Sequence, residues 1–277
     1  MQPLYHYTDL NAFLSIIKFK QLWLSGAHNL NDHQEINWTN RKVAKILGRL
    51  EDKYGAQNTR RLLDLMQMNK AVPYICSLST KDDLLSQWRA YGKDGTGVAI
   101  GFNSDLLPSS KRLPVLTTAP KDSITTLPVL YSEAEQDATI ENIVVYCMEA
   151  LQNAGEDAVE TEIHAAITLN GLSTVFKNEA FHEEHEWRII HTPMIMGDIK
   201  TNETTIHTGI SDPKHRVSNN KLITYFEYNF SSLVGSGIIC DLVLGPKCEI
   251  SNYDLDIFLP INGLEKLKYR RSAASYR

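Results

Sequence analysis

Several familiar signatures are missing from this chain of 277 residues, and each absence removes a class of protein. The four cysteines, Cys76, Cys147, Cys240 and Cys248, are scattered with no C-x-x-C pair. Each lies beside apolar or strand-like sequence, so they read as reduced, mostly buried thiols. The opening residues, MQPLYHYTDL, lack the basic start and long apolar run of a signal peptide. No apolar stretch approaches the length of a membrane span. A cytoplasmic chain with no membrane partner is the expectation. Positive charge is not in excess either: the net charge is −5 and the pI about 6.0, an ordinary soluble balance without a global signature of nucleic-acid binding. No G-x-G-x-x-G follows a strand, no P-loop occurs, and no G-x-S-x-G elbow is present. Gly92–Gly97 is glycine-rich but precedes a strand, so it reads as a turn instead of a phosphate cradle. His182-Glu183-Glu184-His185 is not H-E-x-x-H: its histidines stand three apart in strand-like sequence, where a zinc site needs two ligands one helical turn apart. No metal is expected.

What is present is a hydrophobic content of 43%, enough for a substantial core, in a length that suits one large domain or two small ones. Short strands are predicted at Leu4–Tyr7, Gln21–Ser25, Tyr74–Ser79, Gly95–Phe102, Pro128–Ser132, Glu184–His191, Leu222–Phe230, Ile238–Leu244 and Leu267–Arg271. Apolar stripes at helical spacing predict helices over about Leu10–Lys18, Gln34–Leu50, Thr59–Asn69, Asp83–Tyr91, Glu133–Asn153, Glu156–Asn170, Leu172–Phe181 and Asn252–Leu259. Thr8 or Asp9 is a fitting N-cap for the first helix, and Ser251 with Asp254 forms a capping-box pattern at the last. Residues of about 114–128 and 197–219 read as polar loops. Strands cluster between helices of unequal length without a regular βαβ rhythm, which favours an α+β domain with a mixed or mainly antiparallel sheet. The helices of about 133–170 read as an insertion on that sheet within a single domain spanning 1–277.

Three islands are polar where core strands should be plain. The first is Tyr5-His6-Tyr7-Thr8; a lone histidine there is more often structural. The second joins Ser77-Leu78-Ser79 to Ser86-Gln87-Trp88-Arg89-Ala90-Tyr91, where Trp88 and Tyr91 fall on one helical face and core packing is the default. The third is Glu184-His185-Glu186-Trp187-Arg188. In a strand, alternation puts Glu184, Glu186 and Arg188 on one side and His185, Trp187 and Ile189 on the other. Unpaired buried carboxylates are costly, so such a row faces either a cleft or solvent.

In this order the islands resemble a bacterial family of unknown function with the pattern L-x-H-Y-T, N-D-x-x-E, S-x-S, W-x-x-Y and E-x-E-W-R, its late strand running into a glycine (here Val243-Leu244-Gly245). The second motif is Asn31-Asp32-His33-Gln34-Glu35, with histidine where the family often has proline. That family is similar to the ADP-ribosyltransferases, and the resemblance implies their fold, a split β-sheet with flanking helices, and NAD as co-substrate. Expelling nicotinamide from NAD leaves an oxocarbenium-like ribose, which a carboxylate stabilises electrostatically. The resemblance gives that role to Glu186, with Glu184 second or acting as base toward the acceptor. His6 would bond a ribose hydroxyl, and Thr8, with the neighbouring Tyr7 and with Ser79, would help position the dinucleotide. Tyr91 would stack on nicotinamide and Trp88 would wall the pocket. Arg188 would pair a phosphate or fix Glu186.

The implied activity is ADP-ribosylation of a macromolecule, an RNA or DNA base or a protein side chain, as a bacterial toxin or anti-phage defence effector with an antitoxin as a further partner. NAD glycohydrolysis at the same site is one alternative, and a non-catalytic binding module on the same fold is another. RNA 2′-phosphotransferases share the fold but need a set of basic residues that the motifs here lack. The basic tail, Lys266, Lys268, Arg270, Arg271 and Arg277, reads either as a solvated strand end or as a local patch for a nucleic-acid acceptor.

Overall fold

The computed structural model describes residues 2–27, 33–69, 72–110, 112–114, 119–152, 158–197, 204–218 and 220–274. Residues 31 and 32 of the N-D-x-x-E motif and Arg277 lie outside them, as do the side chains of residues 33–35. The chain opens with β1 (Pro3–Thr8), α1 (Leu10–Phe19) and β2 (Gln21–Gly26). Two helices, α2 (His33–Tyr54) and α3 (Ala56–Met68), precede β3 (Tyr74–Ser79), α4 (Leu85–Ala90), β4 (Val98–Asn103) and β5 (Ile124–Pro128). Then come α5 (Glu133–Gln152), α6 (Ala158–Gly171), β6 (Glu186–His191), β7 (Met194–Gly197) and β8 (Thr204–His207). The chain continues through β9 (Lys214–Ser218), β10 (Lys221–Asn229), β11 (Ile239–Leu244), α7 (Asn252–Ile261) and β12 (Tyr269–Arg271). Asp9 caps α1 through Ala12 N–H at 2.8 Å, and Ser251 caps α7 through Asp254 N–H at 3.1 Å.

The result is a mixed α+β architecture on a mostly antiparallel open sheet. Its order is β12-β11-β4-β1-β3-β2-β10-β9, with β6 laid along β3 and β5 along β6; among the described strands only β11 and β12 pair in parallel. One apolar cluster, including Leu4, Phe13, Ile17, Leu24, Ile100, Phe226 and Leu255, lies with α1 and α7. The second, including Val43, Leu62, Ile75, Val144, Leu169 and Ile190, joins α2, α3, α5 and α6 to β3 and β6. Helices α5 and α6 therefore pack with α2 and α3 in one helical layer. None of the described helices is long and apolar enough to cross a membrane.

The sheet is broken where β3 changes partner. β1 pairs with β3 only at Tyr5↔Ser79, then follows β4 for six residue pairs. β2 meets the other end of β3, at Ser25↔Ile75 and Gly26↔Tyr74. Between these two pairings neither strand joins β3, although β6 runs along its opposite edge from Tyr74 to Ser79. The start of β4 is pressed against the exit of β1 at Gly97, where a Cβ would stand 2.0 Å from the Thr8 carbonyl oxygen.

Four expectations need correction. The stretch Leu172–Phe181 is not a helix: two short 3₁₀ turns, Leu172–Thr174 and Glu179–Glu184, flank extended chain at Phe176, which bridges Leu130. The third polar island is not one strand, because His185 takes a left-handed turn (φ 45°) between the 3₁₀ turn ending at Glu184 and the strand starting at Glu186. β5 forms within the Pro/Thr-rich stretch, earlier than the strand expected from Pro128. The polar stretch 197–219 holds β8 and β9, which pair with β7 and β10 but are themselves largely exposed, so they need no apolar alternation. Gly92–Gly97 is a turn, with Lys93, Asp94 and Gly95 all at positive φ.

Candidate functional site

At the break between β1 and β3 lies a hollow of about 60 Å³, lined by Tyr5, His6, Tyr7, Ser77, Leu78, Gln87, Tyr91, Glu184 and Glu186. It forms because the edge of β3 is left without a strand partner at Ser77. Buried carbonyls need donors, and here the His6 imidazole supplies one: Nδ1 lies 3.0 Å from the Ser77 carbonyl oxygen. A carbonyl only accepts, so Nδ1 carries the proton and Nε2 is left as the ring's acceptor. Burial holds the imidazole pKa below its ordinary value, against the opposing effect of the Ser77 bond, so the ring is neutral near pH 7.

Beneath the hollow sits a quartet of charges. Glu186 accepts from Ser77 Oγ (2.6 Å) and Arg188 Nε (2.8 Å) at Oε1, and from Arg188 Nη2 (3.0 Å) and Lys177 Nζ (3.1 Å) at Oε2. Burial pushes this carboxyl upward, but the Arg188 guanidinium, Lys177 and the Ser77 hydroxyl more than reverse it and hold it at about 2. Lys177 also donates to Glu184 Oε2 at 2.6 Å. Its burial favours the neutral amine, yet Glu186 and the Glu184 bond outweigh that and keep the ammonium charged. Two carboxylates thus face two fixed cations, the arrangement that makes buried charge tolerable. The side chain of Glu184 is 16% exposed and that of Glu186 6%, so Glu184 is the carboxylate that meets solvent.

Of the residues singled out in the sequence, His6, Tyr7, Tyr91, Glu184 and Glu186 line the hollow. Tyr91 is 44% exposed, and burial of its hydroxyl together with nearby Glu184 raises its pKa. The hydroxyl of Tyr7 is committed elsewhere: it donates to the Lys81 carbonyl and accepts from Leu84 N–H. Trp88, Thr8, Ser79 and Arg188 do not line it. Trp88 is fully buried, edge-on to Tyr7 at 4.7 Å, with its indole N–H on Asp83 at 2.7 Å, so it packs behind the wall instead of forming it. Ser79 fixes the Glu184 carbonyl (2.7 Å) and accepts from Lys81 N–H. Of the two contacts expected of Arg188, the one with Glu186 is present: its buried guanidinium donates to that carboxylate and to the Thr174 carbonyl at 3.0 Å. In the tail, Arg270 pairs with Asp82, and Arg271 donates to the carbonyls of Cys248 and Ile250.

Sequence reasoning missed Lys177 and Tyr131, and gave no role to Gln87 within the second island. Lys177 follows Val175-Phe176 in buried extended chain, where an isolated lysine needs a carboxylate partner; that was its available signal. The Tyr131 hydroxyl accepts Glu186 N–H at 3.0 Å, a backbone role with no sequence mark. Among the described residues no group of three or more His, Cys, Asp or Glu side chains converges as a metal site would require.

An α+β chain with a hollow at a sheet break and a neutralised carboxylate pair is thereby defined. Residues 87–189, from α4 into β6, match the family model described as protein of unknown function (DUF2971). The matched stretch includes Tyr91, Lys177, both glutamates and Arg188, and leaves out His6. No curated protein and no solved structure matches the chain.

Proposed function

We propose that this chain is an NAD-dependent ADP-ribosyltransferase whose ribose-side contacts are made at the hollow. The observation that carries the reading is the meeting of His6, Tyr91, Glu184 and Glu186, from β1, the end of α4 and the 3₁₀–β6 junction, at one break in the sheet. In this reading His6 Nε2 accepts a ribose hydroxyl and the Tyr91 ring, exposed beside the carboxylates, stacks on nicotinamide. The C1′–nicotinamide bond breaks with its electron pair leaving on neutral nicotinamide. An acceptor nucleophile then bonds to C1′ and gives up its proton. Glu186 is ionised but already holds four donors, so Glu184, more exposed and one bond from Lys177, is the carboxylate that meets the ribosyl cation or takes the acceptor proton. The acceptor is a macromolecule, a nucleobase or a protein side chain, consistent with use as a toxin or defence effector.

A second reading, a binding module without catalysis, draws support from that same saturation of Glu186 and from the size of the hollow, room for a few waters. Incubation with NAD labelled in the ADP-ribose half, plus separate RNA, DNA and protein pools, decides among them. Label on a macromolecule, lost in Glu184→Gln, supports transfer. Free ADP-ribose with every pool indicates hydrolysis, and no turnover indicates the module.

A further inference from the structure

The outer wall of the hollow is a helix too short to hold itself. α4 has six residues, its N-cap Leu84 makes no side-chain cap bond, and it carries Gln87 and leads into Tyr91. An isolated helix of that length is not stable in water, so other contacts fix it. Three do. Tyr7 bridges the Lys81 carbonyl and Leu84 N–H just before it. Trp88 is buried against Tyr7. The third is Asp83, whose Oδ1 accepts from the Trp88 indole at 2.7 Å and from Ser272 Oγ at 2.5 Å, and whose Oδ2 accepts from Ala273 N–H at 2.7 Å. Next to it, Asp82 pairs with Arg270, which also lies 3.5 Å from Asp241, itself bonded by the Tyr5 hydroxyl at 2.9 Å.

One carboxylate therefore ties a wall of the site to residues more than 180 positions later in the chain. The segment supplying those donors is anchored largely by side chains, Arg270 on Asp82 and Arg271 on the carbonyls of Cys248 and Ile250. β12 is a three-residue edge strand paired in parallel with β11, extended by Ser272 N–H on the Leu244 carbonyl at 2.8 Å.

We propose that Asp83 is the positioning residue through which β12 and the residues after it, to Ala274, hold α4 against the hollow. Gln87 and Tyr91 take their places because the last strand is docked. The inference deepens the ADP-ribosyltransferase reading only in its consequence: a ligand larger than the hollow reaches the carboxylates when this wall moves outward.

Amide hydrogen exchange on the full-length chain, with the ¹⁵N–¹H resonance of the Trp88 indole as a second probe, tests this. In Asp83→Ala, peptides within 80–92 are expected to exchange about tenfold faster, while peptides of β6 and of α5 and α6 keep their rates. The Trp88 indole resonance moves upfield as its bond is lost. Asp83→Asn keeps an oxygen for the indole and Ser272 but turns an NH2 toward Ala273 N–H, so it restores the indole resonance and only part of the exchange protection; Ser272→Ala gives a smaller rise confined to the same peptides. Unchanged exchange in 80–92, or an equal rise across the molecule, would overturn the positioning role. If exchange responds as stated while NAD binds neither protein, the positioning stands and the NAD reading falls.

Discussion

Replacing Arg188 with methionine removes the cation that makes the most contacts with the buried carboxylate. In the native chain the guanidinium gives two bonds to Glu186, at 2.8 and 3.0 Å, and one to the Thr174 carbonyl. Its loss leaves Glu184 and Glu186 sharing Lys177 and exposes an unmet carbonyl. Breaking a buried pair from one side costs about 3–5 kcal/mol. At about 2–4 °C per kcal/mol for a chain of this size, the melting temperature should fall by about 10 °C. The charge count supplies a control: Glu186→Gln alone leaves one excess buried cation, Arg188→Met alone one excess anion, and the double variant is neutral. The double variant should therefore be about 1–3 kcal/mol more stable than the sum of the single effects. The acid limb gives a further check. Glu186 titrates at about 2 against an ordinary 4.5, so its contribution is fully present above pH 4.5 and lost as pH falls through 2. That contribution is on the order of 3 kcal/mol, and it should shrink in Arg188→Met. Urea unfolding of the four proteins between pH 2.5 and pH 7 (about that range) measures all three quantities. A loss below about 1 kcal/mol in Arg188→Met, additive singles and an unchanged acid limb would refute the quartet.

Other outcomes follow from the same geometry. His191 is fully buried with Nδ1 against Ser123, and burial pushes its pKa down to about 4 from 6.5. Its folded value lies below its unfolded one, so stability is full above pH 6.5 and declines toward pH 4 by about 3 kcal/mol; His191→Gln should flatten that limb in pH-dependent unfolding. Gly97→Ala would set a methyl 2.0 Å from the Thr8 carbonyl oxygen and should cost about 3 kcal/mol or more, read as a lower melting temperature. Tyr91→Ala removes a half-exposed ring that packs little, so stability should change by less than about 1 kcal/mol while nicotinamide release falls at least about tenfold.

Legibility in the sequence followed the source of each constraint. β1, α1, β2, β3 and α7 were readable because alternation, helical stripes and side-chain caps are local, and Asp9 and Ser251 cap as their positions suggest. The charge row at Glu184–Arg188 was readable as important for a local reason too, since carboxylates in apolar sequence need partners. Its geometry was not. Alternation across Glu184-His185-Glu186 fails at the left-handed His185, a conformation no residue there advertises, and the pair converges instead through Lys177. Trp88 shows the same limit: helical spacing placed it beside Tyr91, but Asp83 and Tyr7 draw the indole inward. The docking of Ser272 and Ala273 on Asp83 depends on the order of strands in the finished sheet, and no local pattern encodes it.

Nicotinamide released from NAD by the purified chain, compared with Glu184→Gln and His6→Ala, bears most directly on the proposed chemistry. Release by the native chain that falls at least about a hundredfold in Glu184→Gln, with both variants still folded, is the predicted result. Release that is undetectable with RNA, DNA and protein acceptors all supplied, together with a melting temperature that NAD leaves unchanged, would contradict it.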